Sequence, residues 1–555
     1  MPGGIWVADF APDLLAARGA CANLDSNLQR GGLLGKHIGV AASGNAEVSR
    51  TAVEILEAGG NAFDAVLGAL CTAAIAEPLL VSLGGGGFLL ALPDGQKPRV
   101  YDFFCQTPLR RRPSAELDFY PIMANFGTAE QEFHIGKGSI AVPGVVAGIF
   151  EAHRELGRMP LQEIMLPAIE LARSGVKIDK FHHYIIRILR SIMQATPDSF
   201  ALYESPAHPG RLIREGELLR NPAAAQAFEA LIAEGPDLFY RGDWARQLAD
   251  DCQEGGGQVS REDLAAYRVE RREPVVFRYR GTRCAINPPP SPGGCLVAFA
   301  LGVMSDWDAS QDRWGSTGHA LNLLRGMRAA SVARHRYHLE SGLERAKMER
   351  LLDAETVQEW QQGLQLNSLF SRGTTHISVA DRSGNIASLT ASNGEGCAHV
   401  LPGTGIMLNN MLGEEDLNFG GFHRWKEGVR LASMMSPAVA ELADGTRIAL
   451  GSGGSNRIRS AITQVLVNLL DFGMSLEQAV NAPRMHLESD MLSIEEGYGE
   501  DTLAALIKAA PRHHRWPDQN LFFGGVHTVS IKPGGVFDGA GDPRRGGVVA
   551  FARAR

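Results

Sequence analysis

Along this chain the spacing of apolar residues changes period several times, and each change marks an element. Over residues 46–58, Val48, Ala52, Ile55 and Leu56 recur at helical spacing, and Gly59-Gly60 supplies the end that a helix takes past its last turn. Asn61 is placed to cap a second helix, 62–76, which is small and apolar nearly all round, as suits an element sandwiched against a sheet. Residues 143–172 and about 179–250 repeat Leu, Ile and Ala at i, i+3 and i+4 and predict mainly helix. Residues 318–364 predict more of it, with Arg and Glu on the outer face. Elsewhere the period drops to two. A strand is predicted around 100–104, and another begins at 374, where Ile377 and Val379 point one way and His376 and Ser378 the other. The turn Arg382-Ser383-Gly384-Asn385 and a strand over 386–392 close a hairpin. Further strands near Met407, at 438–442 and at 448–450 are expected to join that hairpin in one sheet.

Composition narrows the class. With 555 residues, 45% hydrophobic and 21% charged, the chain can bury a large core as one α/β unit. Its net charge is −8 and its longest basic run is Arg110-Arg111-Arg112, so no nucleic-acid partner is expected. The most apolar segment, 65–76, lies between Asp64 and Glu77 and is too short to cross a bilayer. The seven cysteines (21, 71, 105, 252, 284, 295, 397) form no C-x-x-C pair, which speaks for reduced thiols. Residues 1–20 carry Asp9 and Asp13 where a secretory signal needs a basic start and an unbroken apolar run, so cytoplasmic residence is expected. No residues have metal-ligand spacing, and His182 and His183, adjacent on a helix, point apart; neither metal nor cofactor is expected. Gly84 to Gly87 lacks the G-x-x-x-x-G-K-S/T pattern and reads as close backbone packing rather than a phosphate loop.

The hairpin opens with Gly373-Thr374-Thr375-His376-Ile377-Ser378-Val379-Ala380-Asp381. This motif resembles the processing junction of the γ-glutamyltransferase family, and the likeness runs from about Gly39 to Arg545. It takes in Leu83-Gly84-Gly85-Gly86-Gly87-Phe88, Pro288-Pro289-Pro290-Ser291, Gly405-Ile406-Met407-Leu408-Asn409-Asn410, Met435-Ser436-Pro437 and Asn481-Ala482-Pro483-Arg484 in the family's order. The resemblance implies a four-layer αββα sandwich of the N-terminal-nucleophile hydrolase type. It also implies a precursor that cuts itself between Gly373 and Thr374, leaving a large subunit 1–373 and a small subunit 374–555, with a homodimer of heterodimers left open.

A threonine hydroxyl needs a base, and an N-terminal threonine carries one in its own α-amine, whose reference pKa is about 7.7–8.0. That base exists only after cleavage, so one nucleophile serves maturation and catalysis. In the family a second hydroxyl, 18 positions on, bonds the amine; Ser392 stands at that offset. Oxyanion donors are expected in Gly451-Ser452-Gly453-Gly454-Ser455-Asn456-Arg457, which lacks the family's proline, and Gly453 and Gly454 are the candidates. The residues that hold a glutamyl head group match less well. In the resemblance Phe104 replaces the arginine that pairs with the α-carboxylate, and Arg110 or Arg111, reaching in from the loop, is the candidate substitute. Asn393 is displaced by one from the family's asparagine, Gly394 standing at the aligned place; Glu414 and Ser433 remain, while Met411 and Met434 take polar positions. Three readings stay open: a γ-glutamyltransferase-like enzyme acting on a γ-glutamyl amide such as glutathione or a related acyl amide, a cephalosporin-acylase-like amidohydrolase, and a catalytically silent binding module.

Overall fold

The protein, described by a computed structural model, is resolved over residues 37–125, 130–337, 339, 343–361, 374–418, 420–488 and 490–554. The polar segment 366–373, with Gly373 of the expected scissile bond, and residues 1–36 lie outside the described residues. Strands are labelled in chain order: β1 (His37–Ser43), β2 (Gly86–Leu92), β3 (Arg99–Phe103), β4 (Glu270–Arg272), β5 (Val275–Tyr279), β6 (Thr282–Ile286) and β7 (Thr375–Asp381). There follow β8 (Ile386–Ser392), β9 (Ala438–Glu441), β10 (Arg447–Gly453), β11 (Gly525–Lys532), β12 (Val536–Ala540) and β13 (Val548–Arg553). They form a seven-stranded sheet of order β13-β1-β7-β8-β2-β3-β4 and a six-stranded sheet of order β12-β11-β10-β9-β6-β5, both antiparallel throughout.

Helices α1 (Ala46–Glu57) and α2 (Ala62–Ala76) pack on the outer face of the first sheet, and α3 (Gly293–Met304) and α4 (Arg457–Leu470) on the outer face of the second. The result is the expected αββα sandwich. Local chemistry starts the helices where the sequence places them: the Asn45 side chain accepts from Glu47 N–H, and Asn61 forms a reciprocal capping box with Asp64. Helix α2 is buried almost entirely because it lies between the first sheet and a further helix, Leu161–Ser174.

Period-two alternation sorts the hairpin's side chains. Ile377 and Val379 of β7, with Ala387, Leu389 and Ala391 of β8, enter the core shared with α1 and α2. The opposite face looks at the second sheet and is partly polar, yet each polar group there is bonded. Ser388 Oγ donates to the Leu450 carbonyl (3.0 Å), and Ser378 Oγ to that of His527 (3.1 Å). With its proton so used, Ser378 Oγ accepts from His376 Nε2 (2.9 Å), and Thr390 Oγ1 therefore donates to His376 Nδ1 (2.7 Å). Burial, reinforced by the nearby His527, holds His376 well below its usual pKa, so the ring is a neutral, satisfied core group. Gly451 on the facing strand makes room for it: a Cβ there would lie 2.2 Å from His376 Cε1. Gly451→Ala should therefore cost roughly 1–3 kcal/mol as overpacking, read as a lower urea midpoint. An unchanged midpoint would mean that the ring has room to yield.

One expectation is corrected. Strands β9 and β10 do not join the hairpin's sheet but pair with each other and with β6 and β11 in the second sheet, and Ile406–Met407 pairs only with Val400–Leu401. Both hairpin edges are already taken, β7 by β1 (Ser378 opposite Ala42) and β8 by β2 (Ser388 opposite Leu90), so later strands have no ladder to extend.

Candidate active site

The register of the hairpin creates the site. Thr375 pairs with Ala391, and one step further on both strands sets Thr374 opposite Ser392, which is why an offset of 18 brings two hydroxyls together. Both side chains are buried and both line one pocket, which holds about 370 Å3 of empty space, part of it open to solvent. Ser392 Oγ accepts from Gly394 N–H (3.0 Å), while the glycine run before β2 supplies the close packing its sequence suggests: a Cβ on Gly85 would lie 2.4 Å from the Ser392 carbonyl.

Phe104, Glu414 and Ser433 also line this pocket, so five of the eight residues singled out from sequence meet in one wall. The remaining three are placed otherwise. The Asn393 side chain is turned from the wall toward the Leu408 carbonyl (3.5 Å). At the neighbouring position a Cβ on Gly394, where φ is +65°, would meet Asn410 Oδ1 at 2.1 Å and Glu414 Oε1 at 2.4 Å, so Asn410 and Glu414 occupy the space that an asparagine there would need. Gly453 lies against Thr374, since its Cβ would come 2.0 Å from the Thr374 carbonyl oxygen. Gly454, at φ +116°, faces Gly524 and the Arg545 guanidinium. The loop residue in the pocket wall is the next one, Ser455, held at φ +48°.

Asp416 is the acidic wall residue that the sequence did not single out. Its carboxylate accepts from Ser455 Oγ (2.7 Å) and Asn456 Nδ2 (3.3 Å). The run Glu414-Glu415-Asp416 was the signal available, but which acid turns inward depends on two short 3-10 turns, Met411–Gly413 and Glu415–Leu417. The rest of the wall is apolar: Met411, Leu417, Met434, Met435 and Ile458. Phe104 stacks on Phe88, ring centroids 5.4 Å apart. Among the described residues no guanidinium lines this wall. Arg110 and Arg111 are exposed and outside the wall, with Arg111 Nη1 donating to the His423 carbonyl (3.1 Å). Arg430 lies behind Phe104, bonded to its backbone carbonyl, 3.5 Å from Asp102 and 4.6 Å over the Tyr267 ring.

Among the described residues no group of three or more His, Cys, Asp or Glu could hold a metal ion, and His182 is engaged by Asp179 (2.8 Å). No described helix is long and apolar enough to cross a membrane.

A paired threonine and serine at the mouth of an αββα sandwich suit acyl transfer, and the family model for γ-glutamyltranspeptidase matches residues 48–552. The chain belongs to the γ-glutamyltranspeptidase family. Members of this family of hydrolases and transferases resemble it over nearly their whole length. It is 31% identical to the acylase ACY 1 proenzyme of Pseudomonas sp. (strain V22), covering 90% of this chain and 91% of that one. It is 28% identical to the glutathione hydrolase proenzyme of Escherichia coli (strain K12), covering 91% and 90%. The crystal structure of cephalosporin acylase from Bacillus halodurans superposes with a TM-score of 0.80 over 93% of this chain and 96% of that one, at 24% identity, and shares the γ-glutamyltranspeptidase fold.

Proposed function

We propose that this enzyme is a self-processing amidohydrolase with Thr374 as its nucleophile and an acyl group less zwitterionic than γ-glutamyl as its cargo. In maturation Thr374 Oγ1 attacks the Gly373 carbonyl. The C–N bond breaks as the Thr374 nitrogen takes up the proton and becomes the free α-amine, and water then opens the resulting ester to give the Gly373 carboxylate and restore the Thr374 hydroxyl, leaving subunits 1–373 and 374–555. In turnover that amine takes the Oγ1 proton, Oγ1 attacks the substrate amide, and the departing amine carries the proton away. Water or an acceptor amine then resolves the acyl ester. Ser392 is assigned to the amine through its hydroxyl, and backbone N–H groups of loop 453–455 to the oxyanion.

The observation that carries the substrate reading is the wall itself: Thr374 shares it with Phe104, Met411 and Met434, and neither Arg110 nor Arg111 is among its lining residues. The 31% identity to an acylase proenzyme supports the same reading. A second reading, a γ-glutamyl donor such as glutathione, is favoured by Glu414 and Asp416, whose carboxylates suit an α-ammonium group. Incubation of the mature enzyme with a panel of γ-glutamyl and simple acyl anilides tests both, and release of aniline from none of them would refute both. Cytoplasmic residence belongs to the same proposal and is supported by the described cysteines, 71, 105, 252, 284, 295 and 397, all free and buried.

The mechanism carries a pH signature. The amine works as a base only when unprotonated, so kcat/KM should rise with pH through about 7.7–8.0, the reference range for an α-amine, and level off above it. A profile flat from pH 6 to 9 would remove the amine from the mechanism.

A further inference from the structure

The side of Thr374 away from the pocket carries its own polar machinery. Alternation along β7 sends Thr375 to the face opposite the Thr374 side chain, toward the end of α2. There Thr375 Oγ1 donates to Glu77 Oε2 (2.8 Å). Glu77 is 1% exposed, and its second oxygen, Oε1, has no hydrogen-bond partner among the described residues. On the peptide that joins Thr374 to Thr375, Arg545 Nη1 donates to the Thr374 carbonyl (3.5 Å), while Arg545 Nη2 donates to that of Leu521 (3.4 Å). Arg545 is buried as well, and its aliphatic stem packs where a Cβ on Gly525 would sit, 2.7 Å away. Burial lowers the guanidinium to about 10, opposed by the charges of Asp542, Glu77 and Glu395, so it remains a cation at neutral pH.

A buried carboxyl, whose pKa burial raises, and a buried guanidinium engaging consecutive residues need a reason, because burying each costs desolvation. Cleavage supplies one. Once the bond before Thr374 is cut, the nucleophile is a chain end, and chain ends fray unless tied down. Its hydroxyl and amine are then fixed by rotation about the bonds from Cα and by the plane of the peptide that follows. We propose that Glu77, acting through the Thr375 hydroxyl, and Arg545, at the Thr374 carbonyl, are positioning residues that lock this first peptide plane so that Thr374 Oγ1 faces the pocket. Neither touches substrate. A nucleophile displaced by about 1 Å loses on the order of 100-fold in rate, which sets the scale of the effect. The inference rests on Thr374 being the nucleophile.

The test uses the full chain with Thr375→Val, isosteric but without the hydroxyl, against Thr375→Ser, which restores it. Glu77→Met is set against Glu77→Gln in the same way. Each variant is assayed for the rate of precursor cleavage and, once mature, for kcat and KM on an anilide that the wild type turns over. Thr375→Val and Glu77→Met should lower kcat by about 10- to 100-fold with KM within about twofold, since only the chemical step is affected. Thr375→Ser and Glu77→Gln should recover most of that loss. Where a variant fails to mature, its positioning defect is read in the cleavage rate, with the same rescue expected. Wild-type kcat in folded Thr375→Val, or equal losses in Thr375→Val and Thr375→Ser, would overturn the proposal. Thr374→Ala, run alongside, separates the two ideas: activity surviving in it refutes the nucleophile assignment, whatever the Thr375 pair does.

Discussion

Thr374→Ala should leave the protein as a single chain of 59.7 kDa and reduce amide hydrolysis by at least about 1,000-fold, as expected when the nucleophile of a covalent mechanism is removed. The substitution removes one hydroxyl and a methyl group from a buried strand end, a change too small to unfold a core of this size. Loss of both processing and turnover would thus report chemistry and not collapse. Thr374→Ser keeps the oxygen and should still mature. Because Thr374 faces Ser392 across the hairpin register and both line the pocket, Ser392→Ala should behave differently, slowing turnover while leaving the nucleophile in place. A precursor that is still cut before residue 374 in Thr374→Ala would assign the cleavage to another group.

The second large effect concerns the acyl group. A carboxylate paired with a guanidinium in a partly desolvated pocket gains roughly 1.5–3 kcal/mol, so a pocket without that partner should discriminate against such a carboxylate by about 10- to 150-fold. Here Phe104 lines the wall, Arg430 is spent behind it on the Phe104 carbonyl and Asp102, and Arg111 is spent at the surface on His423. Comparing kcat/KM for γ-glutamyl, glutaryl and butyryl anilides isolates the two charges of the head group. Butyryl is expected to be the best donor, with glutaryl, which offers a carboxylate and no ammonium to Glu414 and Asp416, the poorest. A clear preference for γ-glutamyl that disappears on mutating Arg110 or Arg111 would show that a surface arginine swings in and that the Phe104 reading is mistaken.

The sequence was most informative where the physics is local. Gly59 and Asn61 mark the end of α1 and the start of α2 because capping involves only a few neighbouring residues, and the period-two pattern around Ile377 and Val379 locates the hairpin to within a residue. Pattern fixes the face a side chain takes but not the partner its strand finds, so β9 and β10 were placed in the wrong sheet. The same limit governs the site. An offset of 18 between Thr374 and Ser392 follows from hairpin register and was legible, whereas the inward turn of Asp416 depends on short turns that no periodicity announces. Ser455, and not Gly453 or Gly454, is the loop residue in the wall, and this placement, like the crowding of Gly394 by Asn410 and Glu414, is a contact between segments that no local pattern encodes. Glu77 lay in plain view beside the apolar helix, yet its bond to Thr375 joins residues almost 300 positions apart.

The central claim is that Thr374 becomes a chain end and then carries the acyl group. Mass analysis of the purified protein under denaturing conditions, before and after a brief acid quench during turnover of a slow acyl anilide, tests it directly. The account predicts two chains, 1–373 and 374–555, the second beginning with a free threonine and gaining the mass of one acyl group on that residue. A single uncut chain of 59.7 kDa that nevertheless hydrolyses the anilide, or an acyl group found on any other residue, would contradict it.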